Sequence, residues 1–260
     1  MKIIICGKGG SGKSTITALL AQALQERKFN VVLIDADESN LALHRLMGVS
    51  APINIMDNLG GKKEFKKKMN SSLSGGIGEL FRDNMKIDEI SADCITQRSG
   101  ISGGIKLLSI GKIHTSGEGC ACPMGVLSKM ILSKLALGDH DIILIDTGAG
   151  VEHFGRGIDL KCDLILSIVD PSFESFMLAK KMANMADQAE IDLFFILNKV
   201  DDNVIEAMTA GIDQERVIAK IPQNKSIFLK SLEGRELTEH IPEIDPVCNL
   251  IEKRRVEAHS

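Results

Sequence analysis

Hydrophobic positions fall into two alternating textures along the chain. Short, nearly unbroken apolar runs rich in Ile, Leu and Val occupy Lys2–Cys6, Val31–Asp35, Lys106–Ile110, Ile142–Asp146, Leu164–Val169, Leu193–Asn198 and Val217–Ile221. Between them, apolar residues recur every three or four positions over Ser14–Arg27, Pro123–Leu137, Phe173–Ala189, Val204–Ala210 and Ser226–Leu232. The first texture predicts strands buried on both faces, since a strand with one wet face would alternate. The second predicts helices with an inward apolar stripe. Their alternation predicts an α/β fold: a doubly wound, mainly parallel sheet flanked by helices.

The stretch from about Val49 to Gly104 breaks this rhythm with Gly60-Gly61-Lys62-Lys63, Lys66-Lys67-Lys68 and Ser74-Gly75-Gly76. It reads as a surface insertion, at about 49–104, in a single domain spanning 1–260, and its lysines as a solvated helix face, with a docking patch for an acidic partner as the alternative. At 260 residues the chain can bury one substantial core. No internal repeat or low-complexity tail interrupts it.

Composition narrows the function classes. A net charge of −4 gives no chain-wide attraction to nucleic acid or an anionic membrane. Trp and Tyr are absent, which leaves few rings to stack bases. The apolar run after Lys2 stops at Gly7-Lys8, too short for a secretion signal, and no segment reaches membrane-span length. Cys6, Cys94, Cys120, Cys122, Cys162 and Cys248 are therefore expected as reduced thiols in a cytoplasmic protein.

Directly after the first predicted strand stands Gly7-Lys8-Gly9-Gly10-Ser11-Gly12-Lys13-Ser14-Thr15, a complete G-x-x-x-x-G-K-[ST] loop. Its glycines let backbone N–H groups converge on phosphate oxygens, and the helix that follows adds its positive end. Lys13 is placed to reach the β- and γ-phosphates and Ser14 to face Mg²⁺. The same stretch also fits G-x-G-x-x-G through Gly7, Gly9 and Gly12, with Asp35 where a dinucleotide fold keeps its ribose acid. Lys13-Ser14 has no use in that setting, so a nucleoside triphosphate is the expected ligand.

Two further strands end in acids at the same edge. Ile34-Asp35-Ala36-Asp37 offers Asp37 as the residue that orients an attacking water near Mg²⁺; capping a turn is its plainer alternative. Leu144-Ile145-Asp146-Thr147-Gly148-Ala149-Gly150 offers Asp146 to a Mg²⁺-bound water and Gly148 N–H to the γ-phosphate. A segment bound only to the third phosphate must move when it leaves, so Thr147–Gly157 is the expected switch, reported outward by Glu152, His153 and Arg156. Asn198-Lys199-Val200-Asp201 ends a later strand. Asn198 suits either purine, Asp201 keeps GTP open, and Pro222 is a candidate to pack on the base.

With Lys8 in it, the loop resembles the deviant phosphate loop of the ATPase family that includes nitrogenase iron protein and the septum-site and plasmid-partition ATPases, P-loop NTPases of the SIMIBI class. Asp35-Ala36-Asp37, Asp146–Gly150 and Asn198 fall where that family keeps its switches and base-reading residue. The resemblance implies ATP rather than GTP, and a homodimer in which Lys8 reaches the partner's phosphates. Ser11 departs from the commoner valine, a change a backbone cradle tolerates. A narrower resemblance, carried by Gly119-Cys120-Ala121-Cys122-Pro123 and Asp146–Gly157, is to the accessory ATPases that insert nickel into carbon monoxide dehydrogenase, with relatives serving acetyl-CoA synthase.

Two thiolates one residue apart supply half of a tetrahedral site. A twofold axis supplies the rest, so Cys120 and Cys122 from two copies form an expected S₄ site for Ni²⁺ or Zn²⁺, or less readily an iron–sulfur cluster. His114 and Glu118 are alternative ligands nearby. The main expectation is an ATP-hydrolysing metallochaperone without a nucleic-acid or stable membrane partner. A spatial organiser, with Val247–Val256 as a short amphipathic anchor, and an iron–sulfur electron donor are the competing classes.

Overall fold

The computed structural model describes residues 1–70, 81–100, 104–113, 122–151 and 162–257. Its strands are β1 (Lys2–Gly7), β2 (Asn30–Ala36), β3 (Ile95–Arg98), β4 (Ile105–Ser109), β5 (Asp141–Thr147), β6 (Leu164–Val169), β7 (Leu193–Val200) and β8 (Val217–Pro222). They form an eight-stranded sheet in the order β3-β4-β2-β5-β1-β6-β7-β8, parallel except for β3, which runs antiparallel to β4. The expected doubly wound, mainly parallel sheet is what the chain forms.

The unbroken apolar character of the strands has a direct cause. Along β1, Ile3 and Ile5 enter one buried cluster and Ile4 and Cys6 the other, so both faces of the sheet are covered. On the first face lie α1 (Lys13–Glu26) and α9 (Asp245–Glu257); on the second lie α5 (Cys122–Lys134), α6 (Phe173–Gln188) and α7 (Ile205–Ala210). Each fully buried Ile or Leu in these layers contributes about 1.5–3 kcal/mol over leaving it exposed. Helix α1 is buried almost throughout, from Ile16 to Leu24, because it lies between sheet and α9. Helix α8 (Lys225–Glu233) starts at Asn224, whose Oδ1 accepts from Ser226 N and Ile227 N, and stops at Gly234 in the left-handed region.

Several elements lie outside the periodicity read from the sequence. Within 49–104 the chain forms α3 (Ile55–Asn58), α4 (Gly61–Asn70) and β3, after the single-turn α2 (Leu43–Leu46). Lys66, Lys67 and Lys68 are exposed, whereas Phe65, on the same helix, is fully buried with Ile55 and Met56. The C-terminal segment considered as an anchor is a core helix: Val247, Cys248 and Ile251 of α9 are fully buried. Among the described residues no helix is long and apolar enough to cross a membrane.

The topology fixes where the chemistry sits. Strands added after β1 go to one side of it up to β5 and to the other side from β6, so chains leaving β1, β2, β5 and β6 converge on one crevice. Open α/β sheets bind ligands at the carboxyl ends beside such a reversal.

Candidate functional site

The loop after β1 begins with a glycine that no other residue can replace. Gly7 has φ +145°, and a Cβ there would lie 2.4 Å from Ile168 O on β6. Gly12, just before α1, has φ +101° and sits against Asn198, whose Nδ2 would be 2.3 Å from an added Cβ. Asn198 Nδ2 donates to Ser11 O at 2.8 Å and Lys199 Nζ to Gly10 O at 2.6 Å, so the end of β7 clamps the loop backbone. Lys13 is buried, with Nζ 3.3 Å from Lys8 O. No acid stands in the first turn of α1 and no side chain caps it, which leaves its amides open to an anion.

A cavity of about 540 Å³ opens here. Gly9, Gly10, Gly12, Lys13, Ser14, Thr15, Asp37, Asn198 and Pro222 all line it, so residues chosen from four separate stretches of sequence meet at one place. Its far wall is apolar, built from Ile16, Ile221 and the α8 residues Ile227 and Phe228. A polar end at the helix terminus and an apolar end against α8 suit a nucleotide's phosphates and base respectively. Asp201 is not among the lining residues: its Oδ1 accepts from Asn203 N at 2.8 Å in an exposed turn. The carboxylate that would complete a guanine-reading set thus caps a local turn outside the cavity lining. Ser11 also turns its side chain away, its Oγ buried near Gly7.

Behind the loop lie three carboxylates. Asp35 and Asp146 are register partners on β2 and β5. Ser14 Oγ donates to Asp146 Oδ2 at 2.6 Å, and Asn40 Nδ2 reaches Ser14 Oγ at 2.7 Å and Asp146 Oδ2 at 3.3 Å. Asp146 Oδ1 is buried without a hydrogen-bond partner. Burial, reinforced by the charge of Asp35, pushes the Asp146 carboxyl up to about 7. An orphaned carboxylate oxygen beside a serine hydroxyl is a hard-oxygen donor set that fits Mg²⁺. Asp37 is nearly buried, and its Oδ1 accepts from Ser39 N at 2.9 Å and Ser39 Oγ at 2.6 Å. It both caps the turn and lines the cavity. Gly148 faces it: an added Cβ would be 3.8 Å from Asp37 Oδ1. Gly150 N donates to Gly7 O at 3.2 Å, pinning the segment after β5 to the loop.

Three residues here were not picked out from the sequence. Asn40 is one. Lys112, only 9% exposed, donates from Nζ to Asp35 Oδ2 at 2.7 Å and to Asp37 O at 2.6 Å. Asp35 is pushed up to about 6 by burial, against the opposing pull of Lys112. Asp170, after β6, holds Lys8 in an ion pair at 3.6 Å.

The cysteine pair is only partly in view. Cys122 opens α5 and is exposed. Cys120, His114, Glu118, Glu152, His153 and Arg156 lie outside the described residues. Among the described residues no group of three or more His, Cys, Asp or Glu side chains is arranged to hold a metal ion.

Comparison with known proteins bears on this geometry. Residues 2–237 match the family model described as the CobQ/CobB/MinD/ParA nucleotide binding domain. An uncharacterized ATP-binding protein of Methanocaldococcus jannaschii is 44% identical, the match covering 97% of this chain and 100% of that one. The carbon monoxide dehydrogenase accessory protein CooC of Rhodospirillum rubrum is 32% identical over 87% of this chain and 85% of its own. Among solved structures, the septum site-determining protein MinD of Pyrococcus horikoshii with Mg-ADP superposes with a TM-score of 0.67. The match covers 97% of this chain and 96% of that one, at 20% identity, a likeness of fold.

Proposed function

Because the chain belongs to the CobQ/CobB/MinD/ParA family of P-loop ATPases, we propose that its ATPase cycle serves a homodimeric metallochaperone that assists nickel insertion into carbon monoxide dehydrogenase or a related nickel enzyme. The observation that carries this reading is the exposed Cys122 at the start of α5. It completes a Cys120-Ala121-Cys122 pair in a chain similar over most of its length to an accessory protein of that enzyme.

In this reading the loop amides and Lys13 hold the phosphates, and Ser14 and Asp146 hold Mg²⁺. Asp37, fixed by Ser39, orients the attacking water, and Gly148 opposite it leaves room for the γ-phosphate. Asn198 keeps the loop in shape through Ser11 O as well as bordering the base end with Pro222. Magnesium held there would supply charge neutralisation for the phosphoryl group being transferred. Lys8 leaves Asp170 to reach across a dimer to the partner's phosphates, and the same axis brings two Cys120/Cys122 pairs together around the cargo ion.

Metal analysis joined to size-exclusion chromatography, with and without ATP and Ni²⁺, tests this. The expected result is one Ni²⁺ or Zn²⁺ per two chains, lost in a C120S/C122S variant that still binds ATP. Unchanged metal stoichiometry in that variant removes the cysteine site. Iron and visible absorbance in anaerobically purified protein would instead favour an electron donor, and ATP-dependent pelleting with vesicles or DNA a spatial organiser.

A further inference from the structure

Residues 110–113, which follow β4, are fastened to the segment leaving β2. Ile110 N donates to Asp35 O at 3.0 Å and Ile113 N to Glu38 O at 3.1 Å. Between these two backbone bonds, Lys112 turns inward to Asp35 Oδ2 and Asp37 O.

A buried lysine is an expensive way to join two segments. Apolar residues of similar volume would hold them at least as well, because a buried ion pair must first offset the desolvation of both charges. Lys112 is also not among the residues lining the nucleotide cavity. What the arrangement supplies is direction. The ammonium grips the carbonyl of Asp37, whose side chain lines the cavity, while Gly111, the residue before it, packs against Met124, two residues after Cys122: an added Cβ there would lie 3.5 Å from Met124 Cε. A displacement of Asp37 is therefore transmitted to residue 112 through a charged donor, with a backbone bond on each side keeping the two segments in register.

We propose that Lys112 is a positioning residue that fixes Asp37 through its backbone and links the nucleotide state to Cys122. The proposal rests on the reading that ATP governs the cysteine pair, but its readout needs no metal.

Lys112→Met alone would strand the buried Asp35 carboxylate and lose stability, so the test uses D35N/K112M, which removes both charges at matched size. Folding is checked by circular dichroism and thermal melting. Alkylation of Cys122 by iodoacetamide is followed by peptide mass spectrometry with and without Mg-ATP, alongside ATPase kinetics on the full chain. Wild-type protein is expected to change its Cys122 alkylation rate by about fivefold or more on adding Mg-ATP. The folded double variant is expected to lose that response and about tenfold in kcat while KM stays within about threefold. Lys112→Arg, which keeps a charged donor, is expected to retain the response. A wild-type Cys122 indifferent to Mg-ATP, or a folded double variant with the wild-type response or kcat, overturns the proposal. Failure of wild-type protein to bind Ni²⁺ counts against the metallochaperone reading alone.

Discussion

With Asp146 holding magnesium as proposed above, its carboxyl makes magnesium-nucleotide binding a proton-releasing event with a calculable size. In the nucleotide-free protein the carboxyl is pushed up to about 7 by burial and by Asp35, its neighbour across the strands. At that value it is about 0.9 protonated at pH 6, half at pH 7 and about 0.1 at pH 8. Mg²⁺ requires the ionised form, so binding expels that fraction of a proton and apparent affinity falls towards tenfold per unit as pH drops below 7. Calorimetry of Mg-nucleotide binding in two buffers of different ionisation heat counts the protons directly. Subtracting the same titration on Asp146→Asn removes the contribution of the nucleotide's own phosphate. The expected difference is about 0.9 proton at pH 6 and about 0.1 at pH 8. The same raised value fixes a sign for stability. Between 3.8 and 7 the folded state binds more protons than the unfolded one, so without magnesium or nucleotide stability falls as pH rises across that window. The loss from this group is about 4 kcal/mol in all, and Asp35, raised to about 6, adds in the same sense. Equal proton release by wild type and Asp146→Asn at pH 6 would refute the reasoning, because the carboxyl would then already be ionised.

Gly12→Ala should strain a backbone at φ +101° and displace the Asn198 amide from Ser11 O. Together these cost the fold about 2–4 kcal/mol, so the melting temperature of the nucleotide-free protein is expected to fall, and nucleotide affinity measured by fluorescence titration to weaken as the loop backbone shifts. Lys8→Ala removes a side chain that, among the described residues, pairs with Asp170, so ATP affinity should stay within about threefold. ATP-driven dimerisation or turnover should be lost, and a Lys8→Ala protein that hydrolyses ATP normally removes the cross-subunit role.

The central parallel strands were legible because most of their residues obey one physical demand, burial on two faces, which leaves a nearly unbroken apolar run. Strand β3 was not, since Ile95-Thr96-Gln97-Arg98 lies at an antiparallel edge, half-buried and only four residues long. The phosphate loop and Asp37, Asp146 and Asn198 drew notice in the sequence because each stands at the end of an apolar run. Lys112 and Asp170 did not. A lysine in Gly111-Lys112-Ile113 carries no local mark of burial, and only the placement of β4 beside β2 turns it onto Asp35. Asn40 was similarly hidden, because its contacts with Ser14 and Asp146 span 26 and 106 positions of chain.

The central place of β1 in the sheet has a consequence for assembly. Its two neighbours, β5 and β6, begin only at Asp141 and Leu164, so the strand that carries the phosphate loop has no lateral partner until more than half the chain exists. Such distant pairings close slowly, because the loop entropy is lost before the contacts form. Ile168 O, against which Gly7 packs, arrives with β6 as well. The ATP site is therefore among the last features to be built during synthesis, and nucleotide cannot rescue earlier intermediates. What it can do is bind the finished fold and, by mass action, withhold it from unfolding.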